Sequence, residues 1–136
     1  MDPDIGISRV AIVGTGLIGS SWAACFLAHG LDVIATDPAP GAEGNARQYI
    51  DAAWTALAKI GLAPGASTSR LRFTTDLKEA IAGADLVQEN APEREPVKIK
   101  LFAELDSILP PPAILASSTS AIPMSRIQSE CNHPER

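Results

Sequence analysis

The segment VAIVGTGLIGSSWA, residues 10–23, constrains this chain more than any other part of its 136 residues. An apolar run, Arg9 to Val13, reads as a strand. Gly14, Gly16 and Gly19 follow it in G-x-G-x-x-G spacing, and a small-residue helical pattern from Leu17 to His29 follows them, with Gly30 as its stop. Each glycine has its own physical task. Gly14 makes the tight turn out of the strand, Gly16 lets the backbone approach a diphosphate, and Gly19 allows close packing of helix on sheet. The helix start, with Leu17 and Ile18 as its first residues, offers unpaired N–H groups and partial positive charge to an anion.

A glycine pattern of this kind also occurs in turns that hold no ligand, so its context matters. The next strand, Leu31 to Thr36, ends in Asp37, an acidic residue about 20 positions downstream of the glycines, as a dinucleotide fingerprint requires. Its carboxylate can accept hydrogen bonds from ribose hydroxyls and repels a 2′-phosphate. Pro38, Ala39 and Pro40 supply no arginine to hold one. NAD is therefore expected over NADP. Flavin dinucleotide proteins share the fingerprint, and an Asp that merely caps a loop is the plainer alternative.

Strands and helical stretches alternate along the rest of the chain. DPAPG forms a turn, and a helical pattern runs from Ala42 to Ile60 with Ile50, Ala53, Trp54, Leu57 and Ile60 on it. Leu71 to Thr74 reads as the third strand, Asp76 as the N-cap of a short helix, and Leu86 to Glu89 as the fourth strand. A helix from Glu95 to Leu109 carries Val97, Leu101, Leu105 and Ile108 on an apparent sheet-facing stripe. Pro110 to Pro112 end it, Ala113 to Ser117 is the fifth strand, and a last helix starts near Pro123. This alternation predicts βαβ units: an α/β, Rossmann-type, doubly wound parallel sheet, one domain over residues 1–136.

Composition narrows the class. With 46% hydrophobic and 20% charged residues the chain reads as a globular protein, and a formal net charge of -5 disfavours nucleic acid as a partner. No apolar run has the length of a membrane span, and the opening MDPDIGISR lacks the basic start of a signal peptide. Cys25 and Cys131 are too few for a disulfide framework and lack metal-ligand spacing, so no metal and a cytoplasmic setting are expected.

Ligands of open α/β sheets sit beyond the carboxyl ends of the strands. The fourth strand runs out into QENAPERE and the fifth into SSTSAIP, both polar. Glu93 can bond the nicotinamide-side ribose, Lys98 lies on the first turns of the next helix within reach of a cofactor, and Ser117, Ser118, Thr119 and Ser120 can orient a substrate oxygen. Plainer readings stand beside these: acidic residues favoured at a helix start, a solvated surface lysine, and a serine run that caps the helix after Pro123.

GTGLIGSSW, DP after the second strand, ADLVQENAPERE, LFAELDSILPPPAILASSTS and HPER together resemble the NAD-binding domain of the 3-hydroxyacyl-CoA dehydrogenase family. The wording of QEN…PER and SSTS is nearest to the family's carnitine dehydrogenase branch, and L-gulonate 3-dehydrogenase and lambda-crystallin are also similar. The resemblance implies oxidation of a small-molecule 3-hydroxy substrate, acyl-CoA or carnitine-like, with NAD as hydride acceptor. It implies that Glu93 and Lys98 are cofactor contacts and that Ser120 is the substrate-orienting serine. The family's S-N-T-S asparagine falls on Ser118, a departure that weakens the case for an acyl-CoA.

In that family the catalytic histidine, its glutamate partner and a helical C-terminal domain follow HPER. The resemblance thus implies a C-terminally truncated domain that binds NAD with at most residual activity, and a homo-oligomer for the full-length parent. A non-catalytic or crystallin-like module is the alternative of another class. His133 belongs to HPER and is not the base; His29 is expected to stabilise the C-terminal end of the first helix. The fifth strand is expected to leave an unpaired edge that invites association.

Overall fold

The structure, a computed structural model, describes residues 6–136; most of the acidic opening segment lies outside the described residues. Five strands, β1 (Arg9–Val13), β2 (Asp32–Thr36), β3 (Leu71–Thr74), β4 (Leu86–Glu89) and β5 (Ile114–Ser117), alternate with five helices. The helices are α1 (Leu17–Ala28), α2 (Ala42–Ile60), α3 (Leu77–Ile81), α4 (Glu95–Ile108) and α5 (Met124–Ile127). All strand pairs are parallel, in the order β3-β2-β1-β4-β5. The order reverses direction between β1 and β4, so the crevice for a ligand opens above those two strands.

Strand alternation divides the core into two layers. Val10, Ile12, Val33 and Ala35 pack under Ala23, Ala24 and Leu27 of α1 and Ile50 of α2. Ala11, Val13, Val87 and Leu115 face Ala80 and Ile81 of α3, Phe102 and Leu105 of α4 and Ile127 of α5. The doubly wound architecture follows directly: central strands are apolar on both faces because helices cover both faces.

Most element bounds agree with the sequence reading, and the departures have physical causes. On α2, Ile50 is buried but Ile60 is 83% exposed, because the helix runs past the end of the face it packs on. On α4 the stripe is rotated by part of a turn from the one expected. Lys98, Phe102, Leu105 and Asp106 face inward, whereas Val97 is 41% exposed. Two charged residues therefore occupy helix positions that hydrophobicity alone assigned outward. No side chain caps α5, so the serine run is not a capping run. β5 lies at the sheet edge as expected, yet its Leu115 N–H donates to the Arg136 carbonyl at 2.9 Å, so this edge is not wholly unpaired.

The inward Asp106 organises the HPER segment. Its Oδ2 accepts from the backbone N–H of Asn132 at 2.6 Å and of His133 at 3.2 Å, and its Oδ1 accepts from Arg136 Nε at 3.0 Å. Arg136 also donates to the carbonyls of Leu109 and Asp106, at 2.9 and 2.7 Å. Burial alone would raise the Asp106 pKa. The N–H donors of Asn132 and His133 and the Arg136 guanidinium outweigh it, and the carboxyl sits below its ordinary value. A depressed folded pKa contributes stability that is fully present above the unfolded carboxylate value, about 3.9, and is lost as pH falls through the folded value. Asp106→Asn should thus cost about 3 kcal/mol near neutral pH, because it strands a buried guanidinium. Urea melts from neutral to acid pH should show that difference shrinking as the wild-type carboxylate protonates.

Candidate functional site

The first βα turn has the geometry its glycines imply. Gly14 has φ +88°, and a Cβ there would stand 2.8 Å from the Asn90 carbonyl oxygen. Gly19 packs closely on the ends of β1 and β4: an added Cβ would lie 1.9 Å from the Gly14 carbonyl oxygen and 3.2 Å from Asn90 Nδ2. Gly16 is different, because a Cβ there would meet nothing within 4 Å. Space is kept open over Gly16, the N-cap of α1, where the first intrahelical bond runs from Ser20 N–H to the Gly16 carbonyl at 2.9 Å. The amides of Leu17, Ile18 and Gly19 consequently have no intrahelical acceptor. The Leu17 and Ile18 side chains flank them, 59% and 55% exposed.

Asp37 closes the turn from the β2 side. Its Oδ2 accepts from Thr15 N–H at 2.8 Å and from Thr15 Oγ1 at 3.3 Å, and its Oδ1 accepts from Ala39 N–H at 2.9 Å. The carboxylate is half-buried and holds the glycine turn in shape, a role the sequence did not disclose, and Asp37 lines two hollows. One hollow, about 800 Å³, runs along Thr15, Gly16 and Leu17 to Asn45 and Tyr49 of α2. The other, about 830 Å³, lies at the β1/β4 switch. Its walls include Gly14, Asp37, Leu77, Ala91, Val97 and Leu101, with Lys100 and Glu104 also lining it. This second hollow is mainly apolar beside a carboxylate, which suits a flat base with a ribose attached.

The loops that follow β4 and β5 carry the other polar candidates. Glu93 is exposed, accepts from Thr119 Oγ1, and receives the Ala121 N–H at 3.5 Å. The Thr119 hydroxyl and, less strongly, nearby Lys98 hold its carboxyl below the ordinary range. Ser120 is exposed at the tip of the β5–α5 loop. Ser118 Oγ donates to Asn90 Oδ1 at 2.6 Å and accepts from Gln88 Nε2 at 2.9 Å.

Lys98 corrects the reading of a solvated lysine. It is 1% exposed, and its ammonium donates to Glu89 Oε1 at 2.7 Å and to the Ala91 carbonyl at 3.1 Å, with Glu93 Oε2 3.8 Å away. Glu89, fully buried, also accepts from Ala91 N–H at 2.6 Å and from Ser117 Oγ. Sequence reasoning missed both Glu89, the last residue of β4, and Asn90, the first after it, since a polar residue at the end of an apolar strand looks solvated. Neither histidine reaches the groove. His29 Nδ1 lies 2.8 Å from the Cys25 carbonyl at the end of α1, and His133 lies 3.6 Å from Glu135.

A tight glycine turn with free amides, an open space above it, a carboxylate at the end of β2 and an apolar slot at the strand-order switch define a dinucleotide-binding α/β domain. The family description "3-hydroxyacyl-CoA dehydrogenase, NAD binding domain" matches residues 9–136. The chain belongs to this family, whose members are NAD-dependent dehydrogenases, and NAD is the cofactor its groove takes.

Among curated relatives, the L-carnitine dehydrogenase of Bacillus cereus is 53% identical over 130 residues, covering 96% of this chain and 40% of that protein. The L-carnitine dehydrogenase of Streptomyces coelicolor is 49% identical, with 96% and 41% covered. The chain thus spans about 40% of the length of these relatives. Among solved structures, 3-hydroxybutyryl-CoA dehydrogenase of Escherichia coli matches with a TM-score of 0.85 at 34% identity, covering 96% of this chain and 28% of that one. An NAD+-dependent 5-formyl-3-hydroxy-2-methylpyridine 4-carboxylic acid 5-dehydrogenase matches with a TM-score of 0.85 at 39% identity, covering 95% and 42%. Among the described residues no helix is long and apolar enough to cross a membrane, and no cluster of His, Cys, Asp and Glu could hold a metal ion.

Proposed function

We propose that this chain is the cofactor-holding part of an L-carnitine-type 3-hydroxy dehydrogenase, oxidising a secondary 3-hydroxyl group. The open space over Gly16, bounded by free amides on one side and Asp37 on the other, carries the cofactor half of this reading. The L-carnitine dehydrogenase relatives at about 50% identity support the substrate half. In this reading Gly14, Gly16, Leu17, Ile18 and Gly19 seat the diphosphate, and Asp37 binds the adenine-side ribose. Glu93 binds the second ribose, Ser118 supports that end of the groove, and Ser120 orients the substrate oxygen. NAD, when bound, supplies the hydride acceptor. Lys98 acts differently from a direct contact: buried among Glu89, Ala91 and Glu93, it fixes the loop that presents Glu93.

The hydroxyl proton needs a base with a pKa near the working pH, for which histidine is suited. Both histidines of the chain lie outside the groove, so residues 1–136 alone should bind cofactor without robust turnover. A chimera tests the whole reading: residues 9–136 replace the matching segment of the Bacillus cereus L-carnitine dehydrogenase. It should oxidise L-carnitine in preference to 3-hydroxybutyryl-CoA. A folded chimera that binds NADH but oxidises neither would overturn the roles given to Glu93 and Ser120. Brisk L-carnitine oxidation by the 136-residue chain itself would show that another group supplies the base.

A further inference from the structure

Asn90 sits where three elements meet, and nothing in the cofactor assignment uses it. Its backbone N–H donates to the Val13 carbonyl at 2.7 Å, next to the glycine turn. Its side-chain Nδ2 donates to the Gln88 carbonyl at 3.0 Å and lies 3.5 Å from the carbonyls of Val13 and Gly14. The same amide nitrogen would be 3.2 Å from a Cβ on Gly19, so it touches the start of α1 as well. On the opposite side, Oδ1 accepts from Ser118 Oγ at 2.6 Å, and that hydroxyl in turn accepts from Gln88 Nε2 at 2.9 Å. Gln88 is buried and Asn90 and Ser118 are half-buried, which limits competition from water.

The position matters as much as the bonds. Asn90 is the first residue after β4, at the β1/β4 switch, and it lines the apolar slot together with Gly14 and Ala91. One primary amide therefore has its nitrogen at the diphosphate turn and its oxygen on the loop that leads to Ser120. An alanine here would leave the Ser118 hydroxyl without its acceptor and the turn without its brace. Asp37, Leu77, Val97 and Leu101, which also wall this slot, make no hydrogen bond with Asn90.

Resting on the NAD reading above, we infer that Asn90 is a positioning residue. Through Ser118 it locks the phosphate-binding turn to the β5–α5 loop, so that the diphosphate seat and the substrate-orienting serine are held in one register. Because its side-chain bonds run to the glycine turn and to Ser118, its loss should weigh more on the diphosphate and nicotinamide end of the groove than on the adenosine end.

The test compares two probes on the 136-residue chain, NADH by calorimetric titration and adenosine by amide chemical-shift titration. Asn90→Ala should weaken NADH about tenfold, the scale of one lost internal hydrogen bond plus a loosened turn, while adenosine affinity changes less than about twofold. Ser118→Ala should do the same to a smaller degree, and serves if Asn90→Ala does not fold. Because the two residues act as a unit, the double variant should bind NADH no more weakly than Asn90→Ala alone. Equal loss for adenosine and NADH would mark general structural damage and overturn the inference, as would independent, multiplying losses in the double variant. Failure of the unaltered chain to bind NADH would instead sink the cofactor reading itself.

Discussion

Gly19→Ala should abolish measurable NADH binding and destabilise the domain by about 3 kcal/mol, whereas Gly16→Ala should weaken NADH at least about 30-fold and leave stability within about 0.5 kcal/mol. The contrast follows from what a methyl group meets. At position 19 it would overlap the Gly14 carbonyl oxygen, 1.9 Å away, and backbone cannot yield as a flexible side chain can. The turn must open, and the free amides of Leu17 and Ile18 lose their common aim. At position 16 the methyl meets nothing within 4 Å beyond its chain neighbours and enters the open space proposed to seat the diphosphate. Urea denaturation and NADH titration on the two variants separate the effects. Similar stability losses in both, or unimpaired NADH binding by Gly16→Ala, would show that the space above the turn is not the phosphate seat.

Lys98→Met should cost about 3–5 kcal/mol, the scale observed when one partner of a buried ion pair is removed. Both partners are dry, at 1% and 0% side-chain exposure, and their atoms meet at 2.7 Å. Losing the ammonium strands the Glu89 carboxylate with only the Ala91 N–H and the Ser117 hydroxyl to satisfy it. Glu89→Gln combined with Lys98→Met removes the stranded charge and should recover more than half of the loss, since a neutral pair of similar volume avoids the desolvation of two ions. NADH affinity should recover only in part, because Glu93 would still lack its buried neighbour. A loss below about 1 kcal/mol in Lys98→Met would show that this lysine behaves as a surface residue after all.

These two effects also mark where the sequence was legible. The glycine turn, Asp37 and the strand–helix alternation are local in character. Spacing after an apolar strand and a stop at Gly30 need no knowledge of distant parts of the chain, and the structure has them at the positions read. The α4 face was misjudged because period alone weighs Val97 and Ile108 above Lys98 and Asp106. Yet the inward set Lys98, Phe102, Leu105 and Asp106 keeps helical spacing too, with two charged members. What decides between the two stripes is tertiary. Glu89, nine residues earlier, offers Lys98 a buried carboxylate, and Arg136, thirty residues later, offers Asp106 a guanidinium. A charged residue recurring in phase with an apolar stripe, opposite another of contrary sign at a strand end, was the available signal.

Asn90 and Ser118 were harder to read for a related reason. Both sit in polar loop segments, where asparagine and serine are ordinary turn residues. Their significance comes from strand order alone, because β4 lies between β1 and β5 and one amide can therefore reach both neighbours. Sequence suggested that serines in SSTS face a substrate or cap a helix. The structure gives Ser117 and Ser118 internal partners and leaves Ser120 exposed on the β5–α5 loop.

Side-by-side calorimetric titration of the 136-residue chain with NADH and NADPH probes the central claim most directly. With Asp37 clamped to the Thr15 and Ala39 amides beside the proposed ribose position, NADH should bind at least about tenfold more tightly than NADPH, and Asp37→Ala should erase most of that difference. Equal affinities for the two cofactors, or no heat with either, would contradict it.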